Sequence, residues 1–147
     1  MAYEIINNEV SNNPNVAIGI RFPFNSPGIF SKTYTTVEQS KSNLKNLLLT
    51  MRGERYEQPL FGTDLIQLIF EPATELTVNR IRETISDSIS DWLPYITVNE
   101  IIIDTFETDP SLTNEIRVVI KYSVTSNNSE QELVLFATET GQLVVEQ

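Results

Sequence analysis

The sequence contains neither cysteine nor histidine, and these two absences exclude most hydrolase mechanisms. Without cysteine there are no disulfides and no thiolate nucleophiles. Without histidine there is no Ser-His-Asp or Cys-His machinery, no histidine pH switch and no zinc-finger ligand set. The spacings of a glycine-rich phosphate loop or an EF-hand are missing too. We therefore predict no cofactor, no metal site and no catalytic residue.

Long apolar stretches are also lacking. No run approaches the ~20 apolar residues that a membrane-spanning helix needs. The first residues do not combine a basic segment with an apolar one, so the sequence predicts no cleaved signal peptide. We accordingly expect no membrane partner.

Basic residues are scarce. The chain of 147 residues has 10 lysines and arginines against 20 acids, a formal net charge of −10. Residues 76–147 hold 12 of the acids and only 4 of the bases. Since phosphate binding needs clustered basic residues, we expect no nucleic-acid partner. The acidity serves either solubility or a basic protein partner, and the sequence leaves both open.

The residues present predict one α+β domain over 16–147, preceded by an asparagine-rich arm over 1–15. That arm is either ordered by a neighbour or a frayed terminus. The fold we expect is three helices packed on a small antiparallel sheet, formed by a C-terminal meander plus an N-terminal strand. Helical periodicity predicts helices over 37–52, 65–70 and 76–92. Alternation predicts strands over 16–24 and 116–124. Shorter extended pieces are predicted over 29–35, 96–98, 101–106, 132–136 and 143–145.

The loop between the first two helices is predicted to be held at both ends. Gly53 is expected to end the first helix in a left-handed conformation, and Thr36 with Gln39 to cap its start. Thr63 and Asp64 supply the start signal of the second helix. Between these signals lie a charge pair, Glu54 and Arg55, and two aromatic residues.

Three acids near this loop are the only candidates for carboxylate chemistry. Glycoside hydrolysis requires two carboxyl groups ~5–9.5 Å apart, and Glu54, Asp64 and Glu71 could supply them. Each also has a structural interpretation. Glu54 can pair with Arg55, Asp64 can favour a helix start, and Glu71 can end a helix.

The predicted meander leaves strand edges that could receive a strand from another chain. Binding would then be β-augmentation, in which main-chain hydrogen bonds hold the added strand. Alternatively, the strand over 16–24 or the C-terminal piece covers an edge.

Three segments carry a family resemblance. They are IGIRFPF (18–24), LLLTMRGER (47–55) and QPLFGTDLIQLIFEP (58–72), whose ordered glycines, charge pair and proline are fairly specific as a set. The chain resembles the baseplate wedge, or sheath-initiator, family of contractile tails, a phage family once labelled lysozyme-like. The resemblance spans roughly residues 16–136. At positions 93–95 many members have Glu-Pro-Arg, whereas this chain has Leu93, Pro94 and Tyr95, which puts in doubt the salt bridge of that tripeptide.

The resemblance implies a structural protein of a virion tail baseplate, assembled in the host cytoplasm, and not an enzyme. Expected partners are the tail sheath protein and other baseplate wedge and hub proteins, with six copies around the tail tube. The strands over 101–106, 115–124 and 132–136 would offer edges to sheath arms. The alternatives are a muramidase-like peptidoglycan hydrolase or a sheath-like or tube-like subunit. The predicted assembly interface comprises Gly53, Glu54, Arg55, Phe61, Asp64, Pro94, Tyr95, Ile103 and Val134.

Overall fold

Helices and antiparallel sheets follow one another along the chain. The computed structural model describes residues 16–22, 24, 30–69, 71–72, 74–105, 112, 116–125, 130–137 and 143–145. In chain order the elements of these residues are β1 (Gly19–Ile20), β2 (Lys32–Thr33), α1 (Thr36–Leu49), α2 (Leu65–Ile69), α3 (Glu75–Trp92), β3 (Ile96–Asp104), β4 (Ile116–Val124), β5 (Glu130–Ala137) and β6 (Leu143–Val145). The predicted arm over 1–15 lies outside the described residues, and the single domain over 16–147 stays a prediction.

The α+β class is confirmed. Strands β3, β4, β5 and β6 form an antiparallel meander in that spatial order. The N-terminal strand, however, pairs with β2 in a separate two-stranded ribbon and does not join the meander. The ribbon instead lies along α1, where the Phe22 amide donates to Ser42 Oγ at 3.4 Å.

The core lies between the helices and one face of the meander. Alternation on β4 buries Val118, Ile120, Tyr122 and Val124, because successive side chains of a strand point to opposite faces. The helical residues that meet this face recur every three or four positions. They are Leu44, Leu47 and Leu48 from α1 and Ile81, Ile85 and Ile89 from α3.

Helix α3 confirms its prediction with one residue added at the start. Thr74 caps it, and its side-chain oxygen accepts from the Thr77 amide at 3.3 Å. Strand β3 is continuous where two pieces were predicted. A register shift between Val98 and Glu100 keeps Ile96, Ile101 and Ile103 paired with β4 despite an extra residue.

Both predicted ends of α1 were wrong. The cap is Thr35, one residue earlier than predicted, and its hydroxyl oxygen accepts from the Glu38 amide at 3.2 Å. Gln39 does not take part in the cap; its Oε1 accepts a hydrogen bond from Thr33 Oγ1 on the ribbon at 2.5 Å. The helix ends at Leu49, because Thr50 is extended and residue 51 bridges to Thr63.

Within the part of the chain that the structure describes, no helix is long and apolar enough to cross a membrane. The same residues contain no group of three or more acidic side chains placed to hold a metal ion.

Candidate assembly interface

The loop between α1 and α2 is held at both ends by backbone hydrogen bonds. Thr63 donates its amide to the Thr50 carbonyl at 2.9 Å and its hydroxyl to the Leu48 carbonyl at 3.0 Å. These bonds satisfy carbonyls at the end of α1, which would otherwise lack partners. Inside the loop, the Gly53 amide donates to the Pro59 carbonyl at 2.7 Å. The loop is therefore a folded unit.

Two glycines make this path possible. Gly53 and Gly62 have φ angles of +86° and +114°, where residues with a side chain are strained. Gly53 is thus left-handed as predicted, although it lies in the loop and does not end α1. A Cβ on Gly62 would stand 2.4 Å from the Thr50 carbonyl oxygen, so the backbones approach too closely for any other residue.

Glu54 and Arg55, the charge pair of the loop, each make a different contact. Glu54 turns back and accepts from the Met51 amide at 3.1 Å. The guanidinium carbon of Arg55 lies 3.7 Å from the centroid of the Phe61 ring, and its Nη2 donates to Asn46 Oδ1 on α1 at 3.3 Å. A cation over an aromatic face is attractive, so Arg55 braces the loop against α1.

Phe61 links the loop to the end of α3. Its ring contacts the Trp92 ring edge-on, with centroids 5.2 Å apart. Three residues after Trp92, the Tyr95 hydroxyl accepts from Asn43 Nδ2 of α1 at 2.8 Å. The predicted motifs at 53–55 and 94–95 are thereby joined through α1 and Trp92, although 39 residues separate Arg55 from Pro94 in sequence.

The predicted interface residues differ in accessibility. Gly53, Glu54 and Pro94 are exposed, and Arg55, Asp64, Tyr95 and Val134 are half-buried. Phe61 and Ile103 are buried in the core, so they can act on a neighbour only by shaping the surface above them. The most exposed apolar side chains of the loop are Tyr56, which the sequence predicted to be exposed but which the predicted interface omits, and Leu60, which the sequence did not single out.

The sheet face opposite the core carries charged rows on either side of an apolar one. Across β3, β4 and β5 the register aligns Ile102, Val119 and Val134. On one side of this row Arg117 bonds Asp104 at 2.7 Å, and on the other Lys121 bonds Glu100 at 2.8 Å. The hydrogen bond and charge of Glu100 raise the pKa of Lys121. Together the rows line a shallow depression of about 390 Å³.

Strand β3 is an edge of the sheet among the described residues, since it pairs only with β4. The opposite edge is partly covered. Strand β6 pairs with residues 135–137 of β5, and no described strand pairs with residues 132–134 on that side. Strand β4 has partners on both sides, so the prediction that it offers an edge was wrong.

The fold is shared with chains of two solved baseplates and with a third solved protein. A subunit of the anti-feeding prophage baseplate is 25% identical, with a TM-score of 0.62 over 72% of this chain and 83% of that one. A Geobacter sulfurreducens protein that carries the name of a tail lysozyme shares the fold at 20% identity. Its TM-score is 0.60, over 77% of this chain and 93% of its own. A chain of the type VI secretion baseplate complex shares it at 14% identity and a TM-score of 0.50, over 76% and 93%.

Residues 36–129, more than half of the chain, match the family model of the baseplate wedge protein gp25. The protein belongs to this family and is a structural component of a contractile tail baseplate, as the resemblance predicted. No curated protein matches its sequence.

Proposed function

We propose that the chain initiates sheath assembly by offering the free edge of β3, and residues 132–134 of β5, to extended arms of sheath subunits. The observation that carries this proposal is that β3 has a hydrogen-bonded partner on one side only among the described residues. An unpaired edge presents a row of main-chain donors and acceptors, which an added strand satisfies.

The register of β3 favours docking of an added strand along one half of its edge. The irregularity between Val98 and Glu100 limits indiscriminate pairing at one end of the edge, because bulges disrupt the flat ladder that aggregation needs. Residues 100–104 beyond it pair regularly with β4. An incoming arm would therefore be held along this regular half.

Several copies would act together in a ring. The anti-feeding prophage baseplate, which contains the similar subunit, was reconstructed with six-fold symmetry. Six copies around the tail tube would present six sheet edges at equal height. The braced loop over 51–63, with exposed Tyr56 and Leu60, would meet adjacent wedge or hub subunits.

Proline substitutions at Ile101 and Ile102 test the edge. In an antiparallel strand, successive amides point alternately toward the partner and away from it. One of the two prolines therefore removes a β3–β4 bond and lowers the melting temperature. The other removes only an outward amide and leaves that ladder intact. We expect the second variant to enter baseplates while the fraction carrying sheath falls roughly tenfold.

The two variants control for each other, because melting temperatures of the purified proteins identify which of them keeps the ladder. Electron micrographs then count baseplates with and without sheath. A ladder-preserving variant whose baseplates carry sheath at the wild-type level would refute initiation through this edge.

A catalytic role is disfavoured by the contacts of the three candidate acids. Glu54 accepts from a backbone amide, Asp64 lies 3.6 Å from Arg52, and Glu71 is ion-paired with Arg80. We expect the purified chain to release no soluble fragments from peptidoglycan. Release that is lost in Glu54→Gln, but kept in the surface control Glu83→Gln, would restore the muramidase alternative.

A further inference from the structure

Lys45 is a buried cation without an acceptor. It lies on α1 and is only 6% exposed, yet no hydrogen bond or ion pair involves it in the described structure. A charged ammonium taken from water without compensation is costly, and native proteins pair such groups. Lysine at this position therefore requires an explanation that the contacts of the described residues do not provide.

The surroundings of Lys45 make the cost larger. Burial lowers its pKa, and the nearby charges of Lys41, one turn earlier on α1, and Arg21, from the ribbon, lower it further. Of these neighbours only Arg21 has an acidic partner in the described structure, Glu38, at 3.4 Å on the surface. Three of the ten basic residues thus gather at one place in a chain of net charge −10.

The ammonium remains reachable. Among the described residues, the one fully buried side-chain nitrogen or oxygen without a hydrogen bond is the Tyr122 hydroxyl, so Lys45 Nζ keeps a small contact with solvent. Ser42, one turn before Lys45, accepts from the Phe22 amide, which places the ribbon along the same side of α1.

We infer that the basic recess, the surface formed by Lys45, Lys41 and Arg21 where α1 meets the ribbon, binds a Glu or Asp carboxylate from an acidic segment of a neighbouring baseplate subunit. The charge of the recess favours an anion. Membership of a baseplate family makes the neighbours proteins, so a side-chain carboxylate is the anion we assign. An ion pair with a partner carboxylate would offset the free-energy cost of burying the Lys45 ammonium.

Lysine NMR tests binding directly, because the chain has only four lysines, at positions 32, 41, 45 and 121. Their side-chain signals can be assigned with single substitutions. A hexaglutamate peptide is titrated into the full chain, with inorganic phosphate at equal ionic strength in a second arm. We expect a saturable shift of the Lys45 signal and a rise of its pKa with the peptide, while Lys32 stays unchanged.

Two results of this titration would overturn the inference. One is a Lys45 signal that does not move with the peptide. The other is an equal response to phosphate, which would mean that the recess attracts anions without preference for carboxylates.

Lys45→Met tests the role in assembly, with the exposed Lys32→Met as matched control. Methionine keeps the length of the stem and removes the charge, so the melting temperature should stay the same or rise. Incorporation into baseplates should nevertheless fall by roughly tenfold or more, because the partner carboxylate loses its counterion. Lys32→Met should change neither quantity.

Normal incorporation of Lys45→Met would refute the inference, whatever happens to the sheath. Baseplates that contain the variant but lack sheath would count against this site, since the defect would then lie in sheath docking. If Lys45→Met fails to fold, the NMR titration of the wild-type chain decides the question alone.

Discussion

Tyr122 shows at the scale of one residue how a buried hydroxyl limits stability. Its side chain is 0% exposed on β4, and its hydroxyl has no hydrogen-bond partner among the described residues. Burial, with a smaller contribution from Tyr95, raises the pKa of Tyr122 to about 12 from an ordinary value of 10. The protonated phenol is therefore favoured by the fold, although its donor is unsatisfied.

Tyr122→Phe should stabilise the protein. Removing an unsatisfied buried hydroxyl recovers about 1 kcal/mol of its desolvation cost, provided that the ring packs as before. The gain should grow at alkaline pH. Because the folded-state pKa is raised, wild type holds its proton more tightly when folded, and it loses stability as pH rises from 10 through 12.

Urea denaturation at pH 7 and pH 11 measures both effects. Tyr56→Phe is the matched control, because Tyr56 is 100% exposed and should change stability at neither pH. A Tyr122→Phe variant less stable than wild type at pH 7 would show that the hydroxyl has a partner after all.

At the scale of elements, the loop after α1 owes its shape to a close approach of two backbone segments. The Thr63 amide donates to the Thr50 carbonyl, the Arg52 amide donates to the Thr63 carbonyl, and Gly62 lies against the Thr50 carbonyl. Gly53 has a similar φ angle but nothing within 4 Å of the position a Cβ would take. A side chain at Gly53 would therefore meet only the strain of the backbone conformation, whereas a side chain at Gly62 would also overlap backbone atoms.

Gly62→Ala and Gly53→Ala should differ in cost for this reason. At Gly53 alanine pays only for the left-handed conformation, about 1 kcal/mol. At Gly62 it must also displace backbone atoms of Thr50 and Met51, so we expect a loss of about 3 kcal/mol or more. Chemical denaturation of both variants gives the comparison, and equal losses would mean that α1 and the loop separate easily.

At the scale of the whole molecule, some contacts among the described residues fix the fold, while other surfaces face outward and are available to neighbouring subunits. The loop and the turn after α3 are braced against α1 from inside by Arg55, Phe61, Trp92 and Tyr95. The outward surfaces are the β3 edge, the loop tip and the basic recess. A protein that works in a ring needs such rigidity, because partners must find their contacts at fixed positions.

The sequence by itself determined the class and the family. Apolar periodicity located α3, β4 and β6, since burial of one face imposes a spacing that survives in the sequence. The absence of histidine and cysteine removed most catalytic mechanisms, and the ordered residues around Gly53, Glu54 and Arg55 identified the baseplate family.

Only the tertiary structure decided which contacts these residues make. The sequence placed Glu54 beside Arg55 as a pair, but the fold supplies a backbone amide to one and an aromatic ring to the other. It placed the cap at Thr36, whereas Thr35 has the extended backbone of a cap and accepts from the Glu38 amide. It gave no sign that Lys45 would be buried, because burial of that side of α1 depends on packing between distant segments.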